Sequence, residues 1–107
     1  MKGDLEFSTF QKRPAYRYIR ESDHIPALGS DRGVAIIKLF DPGTRWTWYL
    51  SEYDAEERRA FGLVEGDYDR ELGYIDMQEL VEFRGRFGLP IERDLSWRPR
   101  PLAECAS

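Results

Sequence analysis

Two apolar runs separated by Asp41-Pro42-Gly43 constrain this chain more than any other feature. Proline presets φ at the first corner of a β-turn, and glycine tolerates positive φ at the second, so the chain reverses there. Residues 34–40, from Val34 to Phe40, are almost continuously apolar, as in a strand covered on both faces. Residues 46–53 alternate instead. Trp46, Trp48 and Leu50 share one side, and Thr47, Tyr49, Ser51 and Tyr53 share the other. A β-hairpin is predicted here.

The rest of the chain extends that hairpin into a sheet. Leu5, Phe7 and Thr9 alternate with polar neighbours, and Tyr16 and Tyr18 alternate with Arg17, which predicts two short strands at 5–9 and 16–20. Residues 24–33 hold Pro26, Gly29, Ser30, Asp31 and Gly33 and read as a loop. A third strand is predicted over 60–65, a polar loop over 66–73, and a short strand at Tyr74 and Ile75. Asp76 with Glu79 three residues on has the form of a capping box. Met77, Leu80, Val81, Arg84 and Phe87 then follow helical spacing, so a helix is predicted over 76–87, ended by Gly88 and Pro90. Residues 91–97 add a final strand. The expected class is α+β, a small antiparallel sheet of three to six strands with one principal helix packed on it.

With 107 residues, the expectation is a single domain spanning 1–107. Apolar residues at 41% and charged residues at 34% set the chain among globular rather than disordered ones. No stretch nears the roughly 18 apolar residues of a membrane span. The start leads into no secretory apolar segment, and the single cysteine, Cys105, permits no internal disulfide. The expected location is the cytoplasm, with no membrane partner.

Chemistry-bearing patterns are sparse. One His and one Cys make no zinc site, and no nucleophile elbow or phosphate-cradling glycine loop occurs. No cofactor and no metal are expected, and His24 reads as a surface histidine. Charge is uneven. Residues 52–71 carry eight acids against three arginines, a net −5 within a chain of net −4, while residues 84–100 are net +3. Such polarity points to a charged partner. Lys12, Arg13, Arg17 and Arg20 among Tyr16 and Tyr18 form a basic-aromatic patch of the sort that stacks single-stranded bases. Trp46 and Trp48 point the same way and read first as a core face, with a stacking platform as the alternative. Glu52 and Asp54 share one side of an extended strand, which permits acid–base work.

A set of longer motifs carries a resemblance. They are Lys38-Leu39-Phe40, Trp46-Thr47-Trp48, Glu52-Tyr53-Asp54, Phe61-Gly62-Leu63-Val64 and Glu71-Leu72-Gly73-Tyr74. The last runs Arg84-Gly85-Arg86-Phe87-Gly88-Leu89-Pro90-Ile91-Glu92-Arg93-Asp94-Leu95. Together they resemble a bacterial domain-of-unknown-function family, the one numbered twenty-nine fifty-eight, from about residue 34 to the C-terminus. Residues 34–98 are the family-like core and 1–23 a variable N-terminal segment. The resemblance implies no activity. It implies a setting, since members are small proteins often carried by plasmids and conjugative elements. Within its last motif, Glu92 and Asp94 are expected to pair with Arg84 or Arg93 and fasten the helix end to the tail.

The functional expectation is a small non-enzymatic binding module of a mobile element, acting on a protein partner through Glu56, Glu57, Asp67 and Asp69, in regulation or evasion of host defence. The first alternative is a single-stranded nucleic-acid binder using Tyr16, Arg17, Tyr18 and Arg20. The second is a small metal-dependent hydrolase using Glu52 and Asp54. The sequence leaves the oligomeric state open.

Overall fold

A computed structural model describes residues 18–105. The hairpin forms where predicted, but Gly43 does not take the positive φ expected of it, and the loop closes by Asp41 N–H donating to the Trp46 carbonyl at 3.0 Å. Strand β2 (Ile37–Phe40) pairs antiparallel with β3 (Thr47–Asp54), with Ile37 opposite Leu50 and Phe40 opposite Thr47. Asp41 builds the turn: its carboxylate accepts from Gly43 N–H and from the Thr44 hydroxyl, each at 3.0 Å. Strands β4 (Arg59–Glu65) and β5 (Arg70–Asp76) extend the sheet on one side, and β6 (Glu92–Arg93) closes it on the other. The order is β5-β4-β3-β2-β6, antiparallel throughout. A second, two-stranded ladder joins β1 (Val34–Ala35) to β7 (Arg100–Pro101).

Two irregularities meet at Leu50. Ile36 N–H donates to the Leu50 carbonyl at 2.8 Å although Ile37 stands opposite Leu50, so two residues face one. Across β3 and β4 the register passes from Leu50–Gly62 to Glu52–Phe61, leaving Ser51 as an extra residue. Each bulge reverses the alternation of side chains. Ala35 therefore enters a different cluster from Ile37 and Leu39, and Tyr53 joins Leu50. The uninterrupted alternation expected for 46–53 fails at Ser51 for this reason.

The main core lies on one face. Ile37, Leu39, Leu50, Tyr53, Ala60 and Ile75 pack against Met77, Leu80 and Val81 of helix α1 (Met77–Glu82) and against Tyr18, Ile19 and Ile91. Each aliphatic side chain fully buried here contributes about 1.5–3 kcal/mol. The other face carries Tyr49, Ala35 and Cys105, covered by Trp97 and Leu102 of the C-terminal segment. Trp97 is fixed by its indole N–H, which donates to the Ala35 carbonyl at 3.1 Å.

Several expectations are corrected. Asp76 caps the helix as predicted, its carboxylate accepting from Gln78 and Glu79 N–H, but the helix runs only from Met77 to Glu82. Residues 85–89 close a loop of their own: Gly85 N–H donates to the Leu89 carbonyl at 2.8 Å, and Phe87 adopts φ 60°. Phe87, placed on the core face by spacing, is 89% exposed. The helix is thus one short turn and a half beside a mostly antiparallel sheet, still α+β in composition.

The loop predicted over 66–73 is shorter, because β5 begins at Arg70. The final strand shrinks to Glu92–Arg93, since Asp94 starts a turn that accepts from Ser96 and Trp97 N–H. Residues 18–20 are no strand: Tyr18 and Ile19 are both fully buried, which an alternating strand on a one-sided face forbids, and the chain turns at once into a 3₁₀ turn, Glu21–Asp23. The strand predicted at 5–9 lies outside the described residues. Among the described residues no helix is long and apolar enough to cross a membrane.

Candidate functional site

The acidic stretch does not form one patch. Glu56 and Glu57 sit in the β3–β4 turn, where their N–H groups donate to the Asp54 carboxylate. Asp67 and Asp69 sit in the β4–β5 turn. The seven residues of β4 separate the two turns, roughly 20 Å at the usual strand rise. The four carboxylates singled out as a common contact surface are therefore two pairs at opposite ends of the sheet.

The β4–β5 end is the richer one. A cleft of about 240 Å³ opens there, lined by Trp46, Val64, Gly66, Asp67, Tyr68, Asp69 and Glu71. Local chemistry explains its shape. Gly66 N–H donates to the Asp69 carbonyl at 2.9 Å and closes the turn. A β-carbon at Gly66 would come within 2.9 Å of the Trp46 ring, so glycine lets the indole lie flat against the backbone. Trp48 backs Trp46 with ring centroids 6.1 Å apart. Trp48 itself packs on the main core, as expected of a core face, while Trp46 is 40% exposed and forms the cleft wall. Tyr68 projects at the rim, almost fully exposed.

Three acidic residues thus line the cleft with an indole, and among the described residues none of the three has an ion-pair partner. An aromatic face beside unpaired carboxylates attracts a cation. The volume is below the roughly 300–1,000 Å³ of small-molecule sites and suits one long side chain better than a nucleotide. At the far end of β5, a second cleft of about 270 Å³ is lined by Glu57, Arg58, Arg59, Tyr74 and Asp76. It is internally balanced: the Arg59 guanidinium lies 5.7 Å from the Tyr74 ring centre, and Arg58 donates to the Gln78 side chain.

The basic-aromatic patch loses its centre. Tyr18 is fully buried, and its hydroxyl donates to the Ile91 carbonyl at 2.6 Å, so it stacks no base. Arg20 is half-buried, and its N–H donates to the Asp23 carboxylate. Tyr16 and Arg17 lie outside the described residues. The carboxylate pair is also occupied. Glu52 is buried, and its two oxygens accept from Gly29 and Asp31 N–H at 2.9 and 2.6 Å, which pins the 24–33 loop to the sheet. Asp54 caps its own turn. Among the described residues no three His, Cys, Asp or Glu side chains gather to hold a metal ion.

The family motif at the tail works differently from expectation. Arg93 pairs with Asp23, not with Glu92 or Asp94, while Asp94 meets Lys38 at 3.9 Å. Arg84 turns back to the carbonyls of Val81 and Phe83 and ends the helix.

Sequence reasoning missed Trp46, Tyr68 and Glu71 as a group, and missed the exposed Leu72 and Tyr74 on β5. The signal is weak: residues 70–75 place charged and apolar residues on both parities, and only Leu72 and Tyr74 keep a spacing of two.

No curated protein matches this chain, and no solved structure does. The family model for "Protein of unknown function (DUF2958)" matches residues 12–106, which takes in every resembling motif and reaches upstream into the N-terminal segment. The chain belongs to the DUF2958 family.

Proposed function

We propose that this protein is a non-enzymatic binding module that holds a basic segment of a protein partner, seating one lysine or arginine side chain in the Trp46 cleft. The observation that carries the reading is the set Asp67, Asp69 and Glu71, without ionic partners among the described residues, lining one cleft with an exposed indole. The mobile-element setting implied by the family resemblance favours a host protein as the partner, in regulation or evasion of defence. Among the described residues neither alternative has a comparable assembly, since Tyr18 is core and Glu52 is a loop anchor.

The test is affinity capture from host lysate with nuclease present, using the wild-type chain and an Asp67→Lys/Asp69→Lys variant of equal melting temperature. A partner held by the wild-type chain, released by the variant and weakened by added salt supports the reading. A partner held equally by both removes the cleft from it. Material recovered only when nuclease is omitted replaces it with nucleic-acid binding.

A further inference from the structure

The two edges of the main sheet are built differently. β6 is two residues long, a length at which an edge offers little to pair with. β5 is seven residues long, pairs with β4 without a register shift, and has no partner on its outer side among the described residues. It carries no proline, no lysine and no bulge, three usual protections of an open edge, and its charges are Arg70, Glu71 and Asp76. Instead it exposes Leu72 and Tyr74, 60% and 69% accessible, beside Phe61 on the same face. The C-terminal segment that covers this face at Tyr49 leaves them bare.

The exposed face of β5, Arg70, Leu72, Tyr74 and Asp76, is complementary to itself. Fold a second copy antiparallel about a twofold axis through Gly73, and Arg70 stands opposite Asp76, Leu72 opposite Tyr74, and Gly73 opposite Gly73. Each pair is suited to the close cross-strand distance of about 4.5–5.5 Å. Arg70, Leu72, Tyr74 and Asp76 all lie on one face, so the twofold repeats each contact. Arg70 has no ion-pair partner among the described residues. Asp76 gives only Oδ1 to the helix cap, leaving Oδ2 for a guanidinium. We propose that β5 is a homodimer edge, joining the sheets of two chains through Arg70–Asp76 and Leu72–Tyr74 pairs about Gly73. This dimer is independent of the Trp46 cleft reading.

Sedimentation tests the occupant. The wild-type chain is expected to be a dimer, and a monomer at hundred-micromolar concentration would overturn the proposal. Arg70→Asp and Asp76→Arg each set like charges opposite one another in both symmetric pairs and should weaken self-association on the order of tenfold. Mixed, the two variants should form a heterodimer, because every pair is then opposite in charge. Self-association unchanged in both would sink the interface. Leu72→Lys, on an exposed side chain, repeats the test without touching the helix cap.

Gly73→Cys reads the register directly. A β-carbon there meets no atom within 4 Å, and two cysteines at the axis fall within disulfide reach. Oxidation should give a covalent dimer from Gly73→Cys but not from Glu71→Cys. Equal cross-linking at both positions would refute the register.

Discussion

Arg93 grips Asp23 with both guanidinium arms, at 2.8 and 2.7 Å, across 70 positions of sequence. A third bond, from Arg93 to the Tyr18 carbonyl at 3.2 Å, ties the same side chain to the segment entering the core. One arginine in the family's tail motif therefore fixes how the front of the described chain meets its end. Burial by itself would raise the Asp23 pKa. The bonds from Arg93 and the Arg20 N–H, with the charges of both arginines, outweigh it and hold the carboxyl below its ordinary value.

Stability should accordingly respond to acid. A carboxyl whose folded pKa is depressed contributes stability above its unfolded value of about 3.9 and loses it as pH falls through the folded value. Asp23→Ala leaves a mostly buried Arg93 unpaired and should cost about 3 kcal/mol at pH 7. In urea unfolding that gap between variant and wild type should close below pH 4.

The alkaline side carries the opposite sign. Burial raises the pKa of Cys105, Tyr49 and Tyr53, each relative to its ordinary value. Acidic groups with raised folded pKa values contribute stability below their unfolded values and lose it as pH rises. Denaturant midpoints should fall from about pH 8.5 for the thiol and pH 10 for the phenols. Cys105→Ala should remove the earlier part of that fall.

Two glycines on neighbouring strands should behave in contrary ways. A β-carbon at Gly62 would come within 1.8 Å of the Tyr49 carbonyl oxygen, so Gly62→Ala forces β3 and β4 apart and should prevent folding or lower the melting temperature steeply. Gly73 faces open space, and Gly73→Ala should change the melting temperature little.

Tyr18→Phe separates a structural role from a stacking one. It removes the hydroxyl donor to the Ile91 carbonyl and leaves a buried acceptor unpaired, at a cost of about 1–3 kcal/mol in urea unfolding. Phenylalanine keeps the ring that would stack a base, so a loss of stability on this change marks the hydroxyl's structural role.

How much of this was legible depended on whether a signal was local. The Asp41 turn and the Asp76 cap declare themselves, because each side chain bonds backbone within three residues of itself. The start of strand β5 was hidden because Arg70, Glu71 and Gly73 break any apolar alternation, leaving only Tyr74 and Ile75 to read as strand. The early end of the helix was hidden because Arg84 and Phe87 fit helical spacing, while the Gly85–Leu89 bond that competes with the helix leaves no trace in a hydrophobic pattern. The pairing of Arg93 was beyond local reading, since Asp23 is far away in sequence and Glu92 and Asp94 are adjacent. The cleft required knowing that Gly66 brings Trp46 against the β4–β5 turn, a contact between residues 20 positions apart.

The paired bulges at Leu50 bear on how this family can vary in length. Upstream of Ser51 the even residues of β3 face the main core, and downstream the odd ones do. A codon lost or gained within this stretch would carry Tyr53 out of the core and Glu52 away from the loop it anchors. A residue added or removed within β3 should therefore cost the fold far more than one added or removed in the turns on either side of it.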